Sequence, residues 1–184
     1  VWFMRQAGRY LPEFRKIRSQ NKNFIKLCLD SNLSSEITLQ PIKRFDLDSA
    51  IIFSDILMVP YALNQKVNFI KDKGPVLEKF NYQKFINNDK STFTQKLNPV
   101  YKAIEKTRKS LNKKKSLISF IGAPWTLLVY MLGAKLDKNR VNYKKIKNNN
   151  FELNQILEKL NEYLCIHIEN QINHGADVIQ IFDS

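Results

Sequence analysis

Cysteine is nearly missing from this chain: Cys28 and Cys165 are its only two, and they stand far apart. That excludes a disulfide framework and suits a reducing, cytoplasmic setting. Cys165-x-His167 has no second ligand pair and lies beside a helical core stripe, so a structural thiol is expected there rather than a metal ligand. No apolar run approaches the ~20 residues that span a bilayer, and no signal peptide is evident, so a soluble chain without a membrane partner is expected. Acidic residues are also short, 17 against 30 Lys plus Arg, for a net charge of +13. Such a balance fits an anionic partner, either nucleic acid or a polycarboxylate. No zinc finger, recognition motif or aromatic-studded sheet signature is present, however. The lysines, as in Lys113-Lys114-Lys115 and Lys144-Lys145, fall mostly on polar helix faces or in loops, and nucleic acid is not the expected partner.

What is there begins with short, nearly continuous apolar runs. Ser49–Ser54, Ser116–Ile121 and Asp177–Phe182 read as buried strands. Between them lie helical patterns. Pro12 to Leu29 reads as a turn and short helix. Ser34 or Ser35 caps a helix toward Phe45 that Pro41 should kink. Leu57 to Leu63 continues as loop, Val67 to Phe80 is extended or hairpin, and Phe85 to Thr94 is polar connection. Asn98 with Pro99 resembles a helix start, with Leu97, Val100, Ile104 and Leu111 at helical spacing. Phe151 to His174 is the longest helix, with a stripe of Leu157, Leu160, Leu164, Ile168 and Ile172, and Gly175 in position for a left-handed cap. Alternating strands and helices predict an α/β fold with a parallel sheet, its chemistry at the carboxyl ends of the strands. That rule selects Asp55, the turn Gly122-Ala123-Pro124-Trp125, and Ser184.

The opening stretch Trp2-Phe3-Met4-Arg5-Gln6-Ala7-Gly8-Arg9-Tyr10-Leu11-Pro12-Glu13-Phe14 is the richest in chemistry. Gly8 and Pro12 make it a loop. Two arginine forks in one loop suit carboxylates or phosphates. The alternative is a pair of surface arginines beside an apolar anchor of Trp2, Phe3 and Met4.

This stretch resembles the N-terminal signature of the uroporphyrinogen decarboxylase family, W-x-M-R-Q-A-G-R-Y-L-P-E. Three further blocks are similar to that family in order: Ile51-Ile52-Phe53-Ser54-Asp55-Ile56-Leu57, Gly122-Ala123-Pro124-Trp125-Thr126-Leu127 with Tyr130-Met131, and Gly175-Ala176-Asp177 through Phe182-Asp183-Ser184. The resemblance implies a (β/α)8 TIM-type barrel, of which 1–184 would be roughly the first half and a single incomplete domain. The chain does not open on Met and stops just after an apolar run, so a fragment is expected.

The resemblance further implies an enzyme of porphyrin biosynthesis that removes the four acetate carboxylates of uroporphyrinogen III to give coproporphyrinogen III, homodimeric when full length. Asp55 would contact the pyrrole N–H groups and act catalytically, with Arg5 as a second catalytic candidate. Arg5, Gln6, Arg9, Phe53, Asp55, Tyr130 and Ser184 would bind substrate. Read without the resemblance, Asp55 is equally a helix cap after a strand, the alternative for Ser184 is a strand-end cap, and that for Phe53 and Tyr130 is a core residue. A pyrrole protonated on carbon is its own electron sink, so no metal, pyridoxal or thiamine is required, and no cofactor motif is found. The family's site histidine would lie past Ser184, because neither His167 nor His174 sits in a matching motif. The Lys/Asn-rich segment from Lys135 to Asn150 matches nothing. A methyltransferase of the wider superfamily is the rival reading, and a nucleic-acid binder is the rival from another class.

Overall fold

Strand and helix alternate through the chain as the apolar runs predict. The computed structural model describes residues 3–70, 73–134 and 150–183. In order, it holds helices α1 (Pro12–Gln20), α2 (Phe24–Cys28) and α3 (Ser31–Phe45), strand β1 (Ser49–Ile51), helix α4 (Met58–Ala62) and strands β2 (Val67–Ile70) and β3 (Gly74–Leu77). Helices α5 (Tyr82–Ile86) and α6 (Lys90–Ser110), strand β4 (Ser116–Gly122), helices α7 (Pro124–Met131) and α8 (Asn150–Asn173) and strand β5 (Val178–Phe182) follow. Lys135 to Lys147 and Asn148-Asn149, the larger part of the Lys/Asn-rich segment, lie outside the described residues, as do Trp2 and Ser184.

The chain divides into two compact units. One comprises Val1–Asp55, Leu97–Phe120 and Ile168–Gln180; the other comprises Ile56–Lys96, Ile121–His167 and Ile181–Ser184.

In the first unit, β1 pairs parallel with β4 from Ser49↔Ser116 to Ile51↔Ile118, within a sheet of order β1-β4-β5. The Asp177 N–H donates to the Leu117 carbonyl (2.9 Å), bringing the start of β5 beside the start of β4. The fold is therefore α/β with a parallel sheet. Strand β1 stops short of the predicted Ser54, for a local reason. The Phe53 N–H is taken by the Thr38 hydroxyl (2.8 Å), and the Phe53 carbonyl accepts from Ser34 Oγ (2.6 Å), so neither group is available to a ladder.

Helix α3 begins earlier than Ser34. Asp30 is its N-cap, accepting from the N–H groups of Asn32 (2.9 Å) and Leu33 (3.0 Å). The two serines predicted as caps are buried inside the helix and spent on tertiary bonds, Ser35 accepting from Thr107 Oγ1 at 3.0 Å. The helix runs on through Pro41. Beneath α1, α2 and α3 lies a core of Leu11, Phe14, Ile17, Leu27 and Ile37.

The α8 terminus follows the expected Schellman pattern. The Gly175 N–H reaches the Ile172 carbonyl (2.9 Å) and the Ala176 N–H reaches that of Gln171 (3.1 Å), with Gly175 at φ 106°. A Cβ there would meet Arg108 Cγ at 2.8 Å, so both the conformation and the space call for glycine. Arg108 donates to one oxygen of Asp177 (2.8 Å), which also accepts from the Leu117 N–H (2.7 Å). One carboxylate thus ties α6 and β4 to the entry of β5.

In the second unit, β2 and β3 form the predicted hairpin, in register from Val67↔Leu77 to Ile70↔Gly74. Gln65 Nε2 donates to the carbonyls of Glu78 and Met131, both at 2.8 Å, fastening the hairpin's base to α7. Leu57 to Leu63, expected as loop, holds the short helix α4, whose Met58, Val59, Pro60 and Ala62 are buried. Proline near a helix start lacks only a donor that has no partner there anyway. The predicted polar connection from Phe85 to Thr94 is also helical in part. Asp89 caps α6 by accepting from the Thr92 N–H (2.7 Å), so α6 starts at Lys90 and carries Pro99 in its interior. Phe93, fully buried, extends the expected stripe of Leu97, Val100 and Ile104 toward the N-terminus, and that burial outweighs the proline.

The α8 stripe is displaced too. Ile156, Leu160, Tyr163, Leu164 and His167 are buried, whereas Ile172 is 52% exposed and Cys165 is exposed. Cys165 is therefore not a core thiol, and the buried thiol is Cys28. Among the described residues no helix is long and apolar enough to cross a membrane.

Candidate functional site

The arginine loop is held more firmly than a glycine-bearing surface loop has to be. Leu11, 1% exposed, roots it in the core, and the Leu11 N–H closes a turn onto the Gly8 carbonyl (3.0 Å). Phe3 and Met4, expected as an apolar anchor with Trp2, are 62% and 61% exposed. The anchor is Leu11 with Ala7, which packs on the same core cluster as Phe53. Arg15 donates to the carbonyls of Arg9 (2.8 Å) and Tyr10 (3.3 Å) from α1. The Tyr10 hydroxyl donates to the Gln6 carbonyl, and its ring stacks on Phe45 at 6.3 Å. Gln6 is 4% exposed and bonds the backbone of β1 with both ends of its amide: Nε2 donates to the Ser49 carbonyl (2.7 Å), and Oε1 accepts from the Ile51 N–H (3.1 Å).

Partnership separates the arginines. Arg15 is committed to loop carbonyls and Arg108 to Asp177 and three carbonyls. Arg44 forks onto both oxygens of Glu13 at 3.0 Å, and that hydrogen-bonded pairing holds the Glu13 carboxyl below the usual range. Arg18 donates to the Asn21 carbonyl and stands 5.8 Å over the Phe24 ring. The guanidinium groups of Arg5 and Arg9 are exposed and take no hydrogen bond or ion pair among the described residues. Two uncommitted forks on a fastened loop can receive carboxylates.

Asp55 follows β1 and is half-buried. Its negative charge reaches the buried Cys28 thiol, which burial pushes far up, Asp55 pushes further, and Arg18 draws back. Asp55 and Arg18 thus act in opposite directions on one buried thiol. Arg18, four residues after Phe14, shares the core-facing side of α1 with Phe14 and Ile17. Phe53 packs edge-on against Phe14 (5.8 Å) and Phe24 (5.7 Å), so its ring extends the core cluster up to the site. The backbone there depends on Thr38, whose hydroxyl donates to the Ser34 carbonyl (2.7 Å) while accepting from Phe53. Thr38→Val keeps the shape but strands the Phe53 N–H, so thermal denaturation should show a loss of about 1–3 kcal/mol, with Thr38→Ser near the parent.

In the second unit, β4 ends in the turn at Gly122, where a Cβ would meet Leu127 Cδ2 at 2.9 Å and Ile56 Cβ at 3.3 Å. Only glycine lets α7 return this closely. Pro124 opens α7 at the first helical position, and the Ala123 N–H donates to the Phe182 carbonyl (2.7 Å). Thr126 Oγ1 donates to Asp183 (2.9 Å), so the end of β5 is fixed on α7, the helix that carries half-buried Tyr130. Ser184, the remaining candidate, lies outside the described residues.

Both histidines pack against aromatic rings. His167 sits edge-on to Phe93 at 6.5 Å. His174 places Nδ1 2.7 Å from the Asn170 carbonyl and stacks on Tyr101 at 5.4 Å. Among the described residues, no group of three or more His, Cys, Asp or Glu is placed to hold a metal.

A family model described as uroporphyrinogen decarboxylase (URO-D) matches residues 1–184. The uroporphyrinogen decarboxylase of Orientia tsutsugamushi (strain Ikeda) is 48% identical over 188 residues, covering all of this chain and 54% of its own length. That of Rickettsia felis is 45% identical over 185 residues, with 100% and 54% covered. That of Neorickettsia sennetsu is 46% identical over 185 residues, with 100% and 56% covered. The chain thus spans about half the length of the curated relatives it matches. Among solved structures, a methyltransferase from Methanosarcina mazei superposes with a TM-score of 0.68 over 90% of this chain and 50% of its own, at 16% identity. At that identity the likeness is one of fold.

Proposed function

The chain belongs to the uroporphyrinogen decarboxylase family, and from that premise we propose that the protein carrying it converts uroporphyrinogen III to coproporphyrinogen III in tetrapyrrole biosynthesis. The observation that carries this reading is the pair of uncommitted forks, Arg5 and Arg9, on a loop fastened beside the strand that leads to Asp55. An octacarboxylate needs such a pair. We further assign the chain to the first half of a (β/α)8 barrel, in a cytoplasmic enzyme that is homodimeric when full length.

Each turnover replaces an acetate carboxylate by hydrogen: the C–C bond to the carboxylate breaks, CO₂ leaves, and one proton is taken up. Protonation of a pyrrole carbon first creates a cationic ring that accepts the electron pair of the breaking bond. The substrate supplies its own sink, so the chemistry asks for no cofactor. The protein's part is to stabilise that cation. Asp55 is assigned this role, its carboxylate against the pyrrole N–H groups.

A guanidinium clamped on the departing carboxylate would favour the ground state and slow the step. Arg5 and Arg9 are therefore assigned to non-reacting carboxylates, with Arg5 also a candidate proton donor. Tyr130 and Ser184 are assigned as hydrogen-bond donors to carboxylates, and Phe53 as apolar support for the ring.

The test is turnover. The protein carrying this chain should convert uroporphyrinogen to coproporphyrinogen in buffer without added cofactor. Activity that disappears on exhaustive chelation and returns with metal would overturn the reading.

A further inference from the structure

Glutamine is an unusual residue to spend at the edge of a sheet, and Gln6 spends both ends of its amide there. On its β4 side, β1 is paired through the backbone: the Ser116 N–H donates to the Asp48 carbonyl (3.1 Å) and the Ile52 N–H to the Ile118 carbonyl (2.9 Å). The Ser49 carbonyl and the Ile51 N–H therefore point to the opposite edge. There the Gln6 amide meets both, at 2.7 and 3.1 Å, presenting one donor and one acceptor as the peptide of a neighbouring strand would. One bond would leave the side chain free to swivel; two, to residues 49 and 51 of a single strand, fix its distance and its direction. Glutamate lacks the donor, and asparagine is one methylene shorter.

Gln6 is flanked by the uncommitted forks, with Arg5 its neighbour and Arg9 three residues on. The same loop is held on its other side by Arg15, at the Arg9 and Tyr10 carbonyls, and by the Tyr10 hydroxyl, at the Gln6 carbonyl.

We infer that Gln6 is a positioning residue: a strand-mimicking clip that sets the spacing and aim of Arg5 and Arg9, and that makes no contact with the substrate itself. The inference rests on the proposed reading of Arg5 and Arg9 as carboxylate ligands. It differs from the resemblance-based expectation, in which Gln6 is itself a substrate-binding residue.

The variant Gln6→Met, which removes both bonds and keeps the chain length, separates these roles in the whole protein. Amide hydrogen exchange at Ile51 and across residues 5–11 should accelerate about tenfold or more, because the clip is the local opening barrier. KM for uroporphyrinogen should rise about tenfold while kcat stays within about threefold. In an Arg5→Ala/Arg9→Ala background, Gln6→Met should change KM by less than about twofold, because a positioning residue has nothing left to position.

Unchanged exchange overturns the clip. An undiminished Gln6→Met effect in the arginine-free background overturns positioning in favour of direct contact. Faster exchange in a protein that neither binds nor turns over uroporphyrinogen upholds the clip and overturns the substrate reading alone. Should Gln6→Met not fold, Gln6→Glu, which keeps an acceptor for the Ile51 N–H and loses the donor to the Ser49 carbonyl, is held to the same three measurements.

Discussion

Replacing Asp55 by asparagine should lower kcat about a hundredfold or more while KM for uroporphyrinogen moves only a few-fold. Asparagine is nearly the same size, so the half-buried position after β1 keeps its packing. Its side-chain oxygen can still accept from a pyrrole N–H. What it loses is a full negative charge opposite the cation that forms when the ring is protonated. That loss falls on the transition state, where one such preorganised contact is commonly worth about 3–4 kcal/mol.

Burial and the Asp55 carboxylate act in the same direction on the Cys28 thiol, raising it. Steady-state kinetics with a denaturation curve on the same preparation separates the outcomes. If kcat stays within a few-fold while stability falls, Asp55 is a strand-end cap, and the centre of the proposed site is wrong.

The second large effect concerns acid stability and has nothing to do with catalysis. His167 lies on the buried stripe of α8, 5% exposed, and burial draws its pKa down from 6.5 to about 3. The unfolded chain takes up a proton near 6.5, whereas the folded one resists until about pH 3. Between those values the unfolded state binds more protons, so stability rises with pH across that window. The contribution is complete above about pH 6.5 and drains as the pH falls, at about 1.4 kcal/mol per unit. From pH 7 to pH 5 it should remove on the order of 2 kcal/mol. His167→Gln keeps a neutral polar side chain at every pH, so urea titrations at pH 7 and pH 5 should differ less in that variant by about this amount. An identical pH dependence in parent and variant would show that His167 titrates normally or that the unfolded state shields it.

How much of this was legible in the sequence depended on the range of the interactions involved. The places of the three strands, the hairpin and the Gly175 cap were readable because each is decided within a few residues by apolar runs and glycine, although β5, expected as a buried strand, leaves Val178 47% and Ile181 53% exposed. The four family blocks were readable as words, and with them the family. The sequence places the start of α6 at Asn98-Pro99 instead of Lys90 because a strong local signal competes with the burial of Phe93, which only a folded partner can reward. The α8 stripe was drawn through Ile172 instead of His167 and Gln171, since a polar side chain joins a core stripe only when a distant element satisfies it. For Gln171 that element is β4, where its side-chain oxygen accepts from Ser119 Oγ, while its Nε2 is buried without a hydrogen-bond partner among the described residues. At the site, the sequence by itself determined which arginines stand in one loop and which aspartate ends the strand run. Tertiary structure decided which arginines are uncommitted among the described residues: Glu13 holds Arg44, Asp177 and backbone carbonyls hold Arg108, and those partners lie as far as 69 residues away. It also decided that Gln6 faces the edge of β1, 43 and 45 residues along the chain. Composition and spacing fix what a side chain can bond to; only the folded path of the backbone fixes what is within reach.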